Sequence, residues 1–338
     1  MMRQALLLLG LTWASISLAQ VPKKVVVEHF TNTRCGICAN RNPAFFNNLD
    51  NQSGALHVAV HPSSPYSSCL FNQHNPSEND DRTSYYGIYG STPRLVIQGE
   101  VVPASANYGN ASIFNPHLNE ESDFSLHIKP FITSNGDSLY TEVYIVRESA
   151  SNISEASLFL AAVEALVQYN APNGEDEHHN VFHESYLDVT GQSVTLPTDV
   201  GDSVMVYGWV SISEDWESDE MYAMAILQDD NKSVLQAESS EGTTLGTIES
   251  SGDGLGYGDF ELNALKLFPN PTSDRLIIES DVALQQIEVF DLLGQRVMTE
   301  TANASFVQLE MHDLSSGKYL VRMIDEDGNT TMSSIIKQ

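Results

Sequence analysis

Cys35-Gly36-Ile37-Cys38 sets two thiols three residues apart, directly after an apolar run at 25–27 and Phe30 and ahead of a segment patterned as a helix. Two thiols at that spacing share one face of a first helical turn, where unpaired backbone N–H groups and the helix dipole stabilise a thiolate. The chemistry this allows is a reversible disulfide. The same spacing in an exported protein also serves as a fixed staple. A structural zinc site needs four ligands, and no second Cys-x-x-Cys exists. His29, His57 and His61 could add nitrogens, but histidines along strands are ordinarily plain polar residues, so neither a metal nor a cofactor is expected. Cys69 is the odd thiol, either buried and inert or an accessory exchange partner.

The elements that must hold the pair follow from the pattern around it. A strand over 25–30, a helix over 39–50 and a strand over 56–61 make a βαβ unit. The polar stretch 62–81 reads as an insertion of loop with a short helix. Ser91-Thr92-Pro93-Arg94 then enters a hairpin over 95–102, opened by a proline, and a helix through 111–119 closes the block.

Beyond residue 124 the pattern changes to seven short strands at 124–132, 138–147, 157–167, 193–196, 203–212, 221–227 and 233–237, with turn signals such as Asn135-Gly136-Asp137 between them. That predicts an antiparallel β-sandwich, whose sequence does not say what it binds. Glu175-Asp176-Glu177-His178-His179 with His183-Glu184 invites a metal reading, against which stands a solvated loop between strands. Residues 229–232 read as a hairpin turn, since the full calcium-loop signature is missing.

The Gly/Ser-rich, acidic stretch 242–260 predicts a flexible linker, and a small β module follows it. The expected organisation is a signal peptide over 1–19, an α/β domain over 20–122, a β-sandwich over 123–241, a linker over 242–262 and a C-terminal β module over 263–338.

The first 19 residues carry one basic residue, Arg3, an apolar core at 5–11 and Ser17-Leu18-Ala19 ahead of Gln20, which is a secretory signal pattern. No later stretch approaches the roughly 20 apolar residues of a spanning helix, so a soluble exported protein in an oxidising compartment is expected. Gln20, not cysteine, at the first mature position argues against a lipid anchor. With 45 acidic against 16 basic residues and a formal charge of −29, nucleic acid and anionic membrane surfaces are poor partners.

Strand, Cys-x-x-Cys, helix, strand, then Thr92-Pro93 entering a hairpin, with Pro93 lying 55 residues after Cys38, resembles the thioredoxin fold. Glu28-His29-Phe30-Thr31 before the cysteine pair is also similar to the thioredoxin-like domain of a bacterial family described as a twenty-eight-kilodalton outer-membrane protein. The resemblance implies a cis Thr92–Pro93 bond facing the sulfurs, Cys35 as the exposed attacking thiol and Cys38 as the buried resolving thiol. It also implies that Pro93, flanked by Thr92, presents a backbone edge on which a client segment pairs.

Two positions depart from the thioredoxin pattern. Arg34 replaces tryptophan before the first cysteine and should favour the Cys35 thiolate, and Ile37 replaces proline within the motif. Six residues before Cys35, where thioredoxin keeps a buried carboxylate, an ungapped reading puts His29, either a proton relay or a structural histidine, with Glu28 as the neighbouring candidate. The resemblance further implies that the histidine- and asparagine-containing segment near 178–184 is structural.

At the other end, Leu267-Phe268-Pro269-Asn270-Pro271-Thr272, Asp291-Leu292-Leu293-Gly294-Gln295 and the Leu-x-x-Gly-x-Tyr of 314–319 look like the C-terminal sorting domain read by the type nine secretion system. That resemblance implies the secretion machinery as a partner, passage across the outer membrane, and attachment to the cell surface or release. Two functions stay open. One is thiol–disulfide exchange on extracytoplasmic proteins through Cys35 and Cys38. The other is a non-catalytic surface binding or adhesion protein with a structural disulfide.

Overall fold

The computed structural model describes residues 20–133, 136–251, 254–257, 266–269, 272–273, 275–291, 296–325 and 330–337. The signal pattern at 1–19 lies outside the described residues, as do most of the Pro-Asn-Pro phrase and Leu292 to Gln295.

The N-terminal unit is built on β1 (Val26–Phe30), α1 (Gly36–Leu49), β2 (Leu56–Val60), α2 (Leu70–His74), α3 (Pro76–Tyr85), β3 (Arg94–Ile97) and β4 (Glu100–Val101). β1 pairs parallel with β2 and antiparallel with β3, so all five of its residues are buried. Alternation along the strand sends Val27 to a core with Phe45, Leu95 and Phe114, and Val26 and Phe30 to a second core on the opposite face. His29 packs its ring on Phe45 of α1, while Glu28 pairs with Arg82 of α3, buried between the two Arg82 hydrogen bonds of 2.7 and 2.9 Å. α1 buries Cys38, Asn42 and Phe45 along one face, the i, i+4, i+7 spacing of a single stripe.

The sandwich contributes β5 (Phe124–Thr133), β6 (Ser138–Arg147), β7 (Glu155–Gln168), β8 (Glu177–Ser185), β9 (Gln192–Thr195), β10 (Ser203–Ser211), β11 (Met221–Gln228), β12 (Val234–Ser239), β13 (Gly246–Ser251) and β14 (Gly254–Tyr257). One layer is the sheet β10-β6-β5-β13-β14; the other is a nine-stranded sheet ordered β12-β11-β7-β8-β2-β1-β3-β4, with β9 on β7. Val143 and Ile145 of the first layer pack with Leu160, Ala162 and Ala225 of the second. The larger sheet therefore runs without a break across the expected boundary at 122/123, joined where β8 lies parallel to β2 at Val181 and Ala59. The core on the outer face of β1 is shared in the same way, with Val26, Val58 and Val96 meeting Phe159, Phe182 and Ile226.

Four expectations are corrected. Residues 177–185 form a strand, not a solvated loop, with His178 and His183 buried. The hidden cause is polar pairing: Asn180 bonds His57, Ser185 bonds Glu78 and His183 bonds Glu164, so a segment with few apolar residues is still paid for inside. The stretch expected as linker holds β13 and β14, and β13 pairs parallel with β5. The closing helix is two 3₁₀ turns, Ala111–Ile113 and Asn115–His117, because Pro116 has no N–H to carry an α-helical hydrogen-bond ladder through the segment. The inserted stretch holds two helices, α3 being capped by Asn75 and started by Pro76.

The C-terminal module comprises β15 (Lys266–Phe268), β16 (Arg275–Phe290), β17 (Arg296–Glu310), β18 (Gly317–Asp325) and β19 (Thr330–Lys337), ordered β15-β16-β18-β19 with β17 on β16. It rests on the sandwich through Phe290 and Leu320 against Tyr140 and Tyr207, and the Tyr207 hydroxyl donates to the Asp291 carbonyl at 3.1 Å.

Candidate active site

Cys35 is the N-cap of α1, in extended backbone, and its sulfur accepts the Cys38 N–H at 3.1 Å. The turn before it is fixed by Asn32, whose side-chain amide donates to the carbonyls of Pro62 at 3.0 Å and Tyr66 at 3.1 Å while its Oδ1 accepts the Arg34 N–H at 3.0 Å. The Thr92–Pro93 peptide is cis, and the Cys35 thiol faces the Thr92 carbonyl at 3.6 Å. Sequence reasoning thus named Cys35, Cys38, Thr92 and Pro93, and the structure brings them together.

Their environments separate the two thiols. Cys35 is lowered to about 6, first by its hydrogen bond with the Cys38 thiol, then by Thr92 and the backbone N–H groups of Cys38 and Ile37, against a desolvation cost that raises it. Burial, with the Cys35 interaction, pushes Cys38 far up. At neutral pH Cys35 is mostly thiolate and Cys38 is a thiol, the split a nucleophile and a resolving group need. All three cysteines are unpaired.

Three site expectations change. Cys35 was expected to be exposed and is 3% exposed, although its neighbour Ile37 is 62% exposed. Asn173, at the tip of the β7–β8 hairpin, lies against the motif: its backbone N–H donates to the Thr33 carbonyl at 3.1 Å and its side-chain amide to the carbonyls of Asn32 and Cys35, each at 3.3 Å. Arg34 turns away, its Nε donating to the Ser68 carbonyl at 2.8 Å, and the groups that lower Cys35 are Cys38, Thr92 and backbone amides.

His29 does not titrate near neutrality. Burial pushes it down to about 3, with Asn42 opposing. Its tautomer follows from its neighbours. Asn180 Nδ2 donates to His57 Nδ1 at 3.0 Å, an orientation matched by the Tyr222 hydroxyl donating to Asn180 Oδ1 at 3.0 Å. His57 then carries its proton on Nε2 and donates it to His29 Nδ1 at 3.4 Å. His29 is left with a protonated Nε2, which has no hydrogen-bond partner. Glu28, the neighbouring candidate, is committed to Arg82 on the opposite face of the strand.

Asn42, Asn173 and Glu175 were missed as parts of this site. Asn42 Nδ2 donates to Thr31 Oγ1 at 3.1 Å and to Glu175 Oε1 at 2.7 Å. The Asn173-Gly174 turn signals a hairpin, but nothing local says that its tip reaches a helix 130 or so residues earlier, at Asn42. Cys69 is fully buried, with the Thr33 hydroxyl donating to its sulfur at 3.2 Å. Among the described residues no group of three or more His, Cys, Asp or Glu side chains is disposed to hold a metal ion, and no helix is long and apolar enough to cross a membrane.

Comparison with known proteins bears on both ends of the chain. A solved structure of HBP35 of Porphyromonas gingivalis is similar over 94% of this chain and 98% of its own, with a TM-score of 0.57 at 16% identity, which establishes a shared fold. A domain of the outer membrane lipoprotein Omp28 from Porphyromonas gingivalis aligns with 35% of this chain and 86% of its own, at 6% identity and a TM-score of 0.26. PorZ, a surface component of the type-IX secretion system of the same organism, aligns with 65% of this chain and 39% of its own, at 14% identity and a TM-score of 0.21. No curated protein sequence matches the chain. Residues 266–338 match the secretion system C-terminal sorting domain, so the chain carries a type IX sorting module and is secreted, to remain on the cell surface or be released.

Proposed function

We propose that the protein is an exported thiol–disulfide exchange protein, in which a thioredoxin-like domain at 20–122 acts through Cys35 and Cys38 on protein thiols and disulfides outside the cytoplasm. Cys35 attacks and Cys38 resolves; Thr92 and Pro93 offer the client a backbone edge. The sulfurs themselves carry the electrons, so no cofactor is required. The observation that carries this reading is the Cys35 sulfur capping α1 at 3.1 Å from the Cys38 N–H and 3.6 Å from the Thr92 carbonyl, with its pKa held at about 6. Attack on a client requires the Asn173 tip that covers Cys35 to give way, beside exposed Ile37.

The 3% exposure of Cys35 favours a second reading, a non-catalytic surface binding protein whose sandwich carries the function. Insulin reduction and the potential of the pair separate the two. Exchange predicts turnover that Cys35→Ser abolishes, a potential in the range of exchange enzymes, and clients trapped on Cys35 by Cys38→Ser. A potential below about −300 mV with no turnover would rule out exchange and favour the binding protein instead.

A further inference from the structure

The N-terminal unit carries six Lys and Arg side chains over 20–122, and their pairing divides by position. Lys23, Lys24 and Arg82 each have a carboxylate, from Glu120, Glu238 and Glu28. Arg34, Arg41 and Arg94 have none among the described residues. These three border the thiol site. Arg34 directly precedes Cys35, Arg94 directly follows Pro93, and Arg41 lies three residues beyond Cys38 on α1.

Contacts lead from the sulfur to the cations. Cys35 faces the Thr92 carbonyl at 3.6 Å, the Tyr108 hydroxyl donates to the adjoining Pro93 carbonyl at 3.4 Å, and the Arg41 guanidinium lies 3.7 Å from the Tyr108 ring centroid. Arg94 bears on the same phenol: burial raises the Tyr108 hydroxyl, and the charges opposing it are those of Arg41 and Arg94. Where these arginines donate hydrogen bonds, the acceptors are neutral carbonyls. Arg34 reaches Ser68 at 2.8 Å, and Arg41 reaches Ala104 at 3.0 Å and Ala106 at 2.6 Å. Such bonds fix a guanidinium in place and leave its charge standing. The buried Nε of Arg94 has no partner. A planar fork held still with its charge uncompensated suits a carboxylate.

The chain around this island has the opposite sign, with 45 acidic residues against 16 basic. At 0.1 M salt, exposed charges more than about 10 Å apart are largely screened, so a segment lying along the Thr92–Pro93 edge senses the adjoining arginines more than the distant acids. We propose that Arg34, Arg41 and Arg94 make the thiol site selective for acidic client segments, whose Asp and Glu side chains beside the reacting cysteine complete the missing ion pairs. The inference rests on the exchange reading and adds a substrate class to it: disulfides set in extended, negatively charged polypeptide. It also accounts for Arg34, whose charge is not among the influences that lower Cys35.

Three pentapeptides test it, each with a central cysteine held as its 2-pyridyl disulfide and flanked on both sides by Glu, Gln or Lys. In the reduced full-length protein the Cys35 thiolate attacks the peptide sulfur, the sulfur–sulfur bond breaks, and pyridine-2-thiolate leaves with the electron pair and is followed by its absorbance. Cys35→Ser is the blank, and each rate is normalised to that of 2-mercaptoethanol with the same peptide. At pH 7 and 0.1 M salt the Glu peptide should react at least about fivefold faster than the Gln peptide, and the Lys peptide more slowly. The differences should fade at 1 M salt. The Glu-to-Gln ratio is the readout, so a general loss of reactivity cancels. It should fall toward one in Arg41→Gln/Arg94→Gln, whereas Arg41→Lys/Arg94→Lys, which keeps both charges, should retain part of it. Equal rates or a Lys preference in the wild type, survival of the ratio without the two charges, or its complete loss with lysines in place overturns the acidic subsite and leaves exchange standing. Wild-type protein that reacts with none of the three peptides overturns the exchange reading itself, and this proposal with it.

Discussion

At the scale of single residues, the cysteine pair divides its labour through hydrogen bonds and not through a neighbouring cation. The largest influence lowering Cys35 is the Cys38 thiol, and Arg34 spends its side chain on Ser68. Cys35 should therefore show carboxamidomethylation by iodoacetamide with a midpoint near pH 6 in the native protein. Cys38→Ala should move that midpoint upward toward an ordinary thiol, whereas Arg34→Ala should leave it within a few tenths of a unit. A midpoint that follows Arg34 would show the charge to be in control. The identities of the two sulfurs, the threonine and the proline were legible because each is a rare residue type at a fixed spacing. The exposure of Cys35 was not, since what covers it is a hairpin tip more than 130 positions along, at Asn173.

At the scale of elements, the seam between β2 and β8 is crowded with imidazoles kept neutral by burial. His29, His57, His61 and His178 are all lowered, desolvation being the first cause in each. Their folded pKa values lie below the unfolded value of about 6.5, so the stability they contribute is fully present above that pH and is lost as pH falls toward the folded values, about 3 for His29. Glu78 and Glu184, raised by burial, act in the opposite sense and offset part of the loss. Urea midpoints should fall between pH 7.5 and 5.0, with the fall setting in as pH drops below about 6.5. A flat profile over that window would contradict the seam as drawn.

The seam also explains what sequence patterning could and could not reach. β1, β2 and α1 declare themselves by apolar runs and periodicity. β8 does not, because its stability comes from polar partners on other elements: His57, Glu78 and Glu164. Likewise β13 gains order from the open edge of β5, which the Gly/Ser composition of its own segment does not reveal.

For the whole molecule, the sorting module is a β unit with its own core, including Ile278, Val289 and Val321, and it meets the sandwich through an aromatic patch and where β19 lies beside β14. Its three sequence phrases were legible because they recur as fixed strings, and the match over 266–338 bears them out. Deleting 266–338 should leave the protein folded but held between the two membranes, as read by cell fractionation and surface protease digestion. Truncated protein at the cell surface would mean that the address lies elsewhere.

The continuous nine-stranded sheet carries a practical consequence for anyone dissecting the molecule. Scissors applied after residue 122 would leave β2 with a raw edge at Ala59 and strip Val26, Val58 and Val96 of the side chains that cover them. The excised fragment should clump, and its failure in a redox assay would say nothing about its chemistry. The smallest specimen worth purifying retains both the sulfurs and the sandwich.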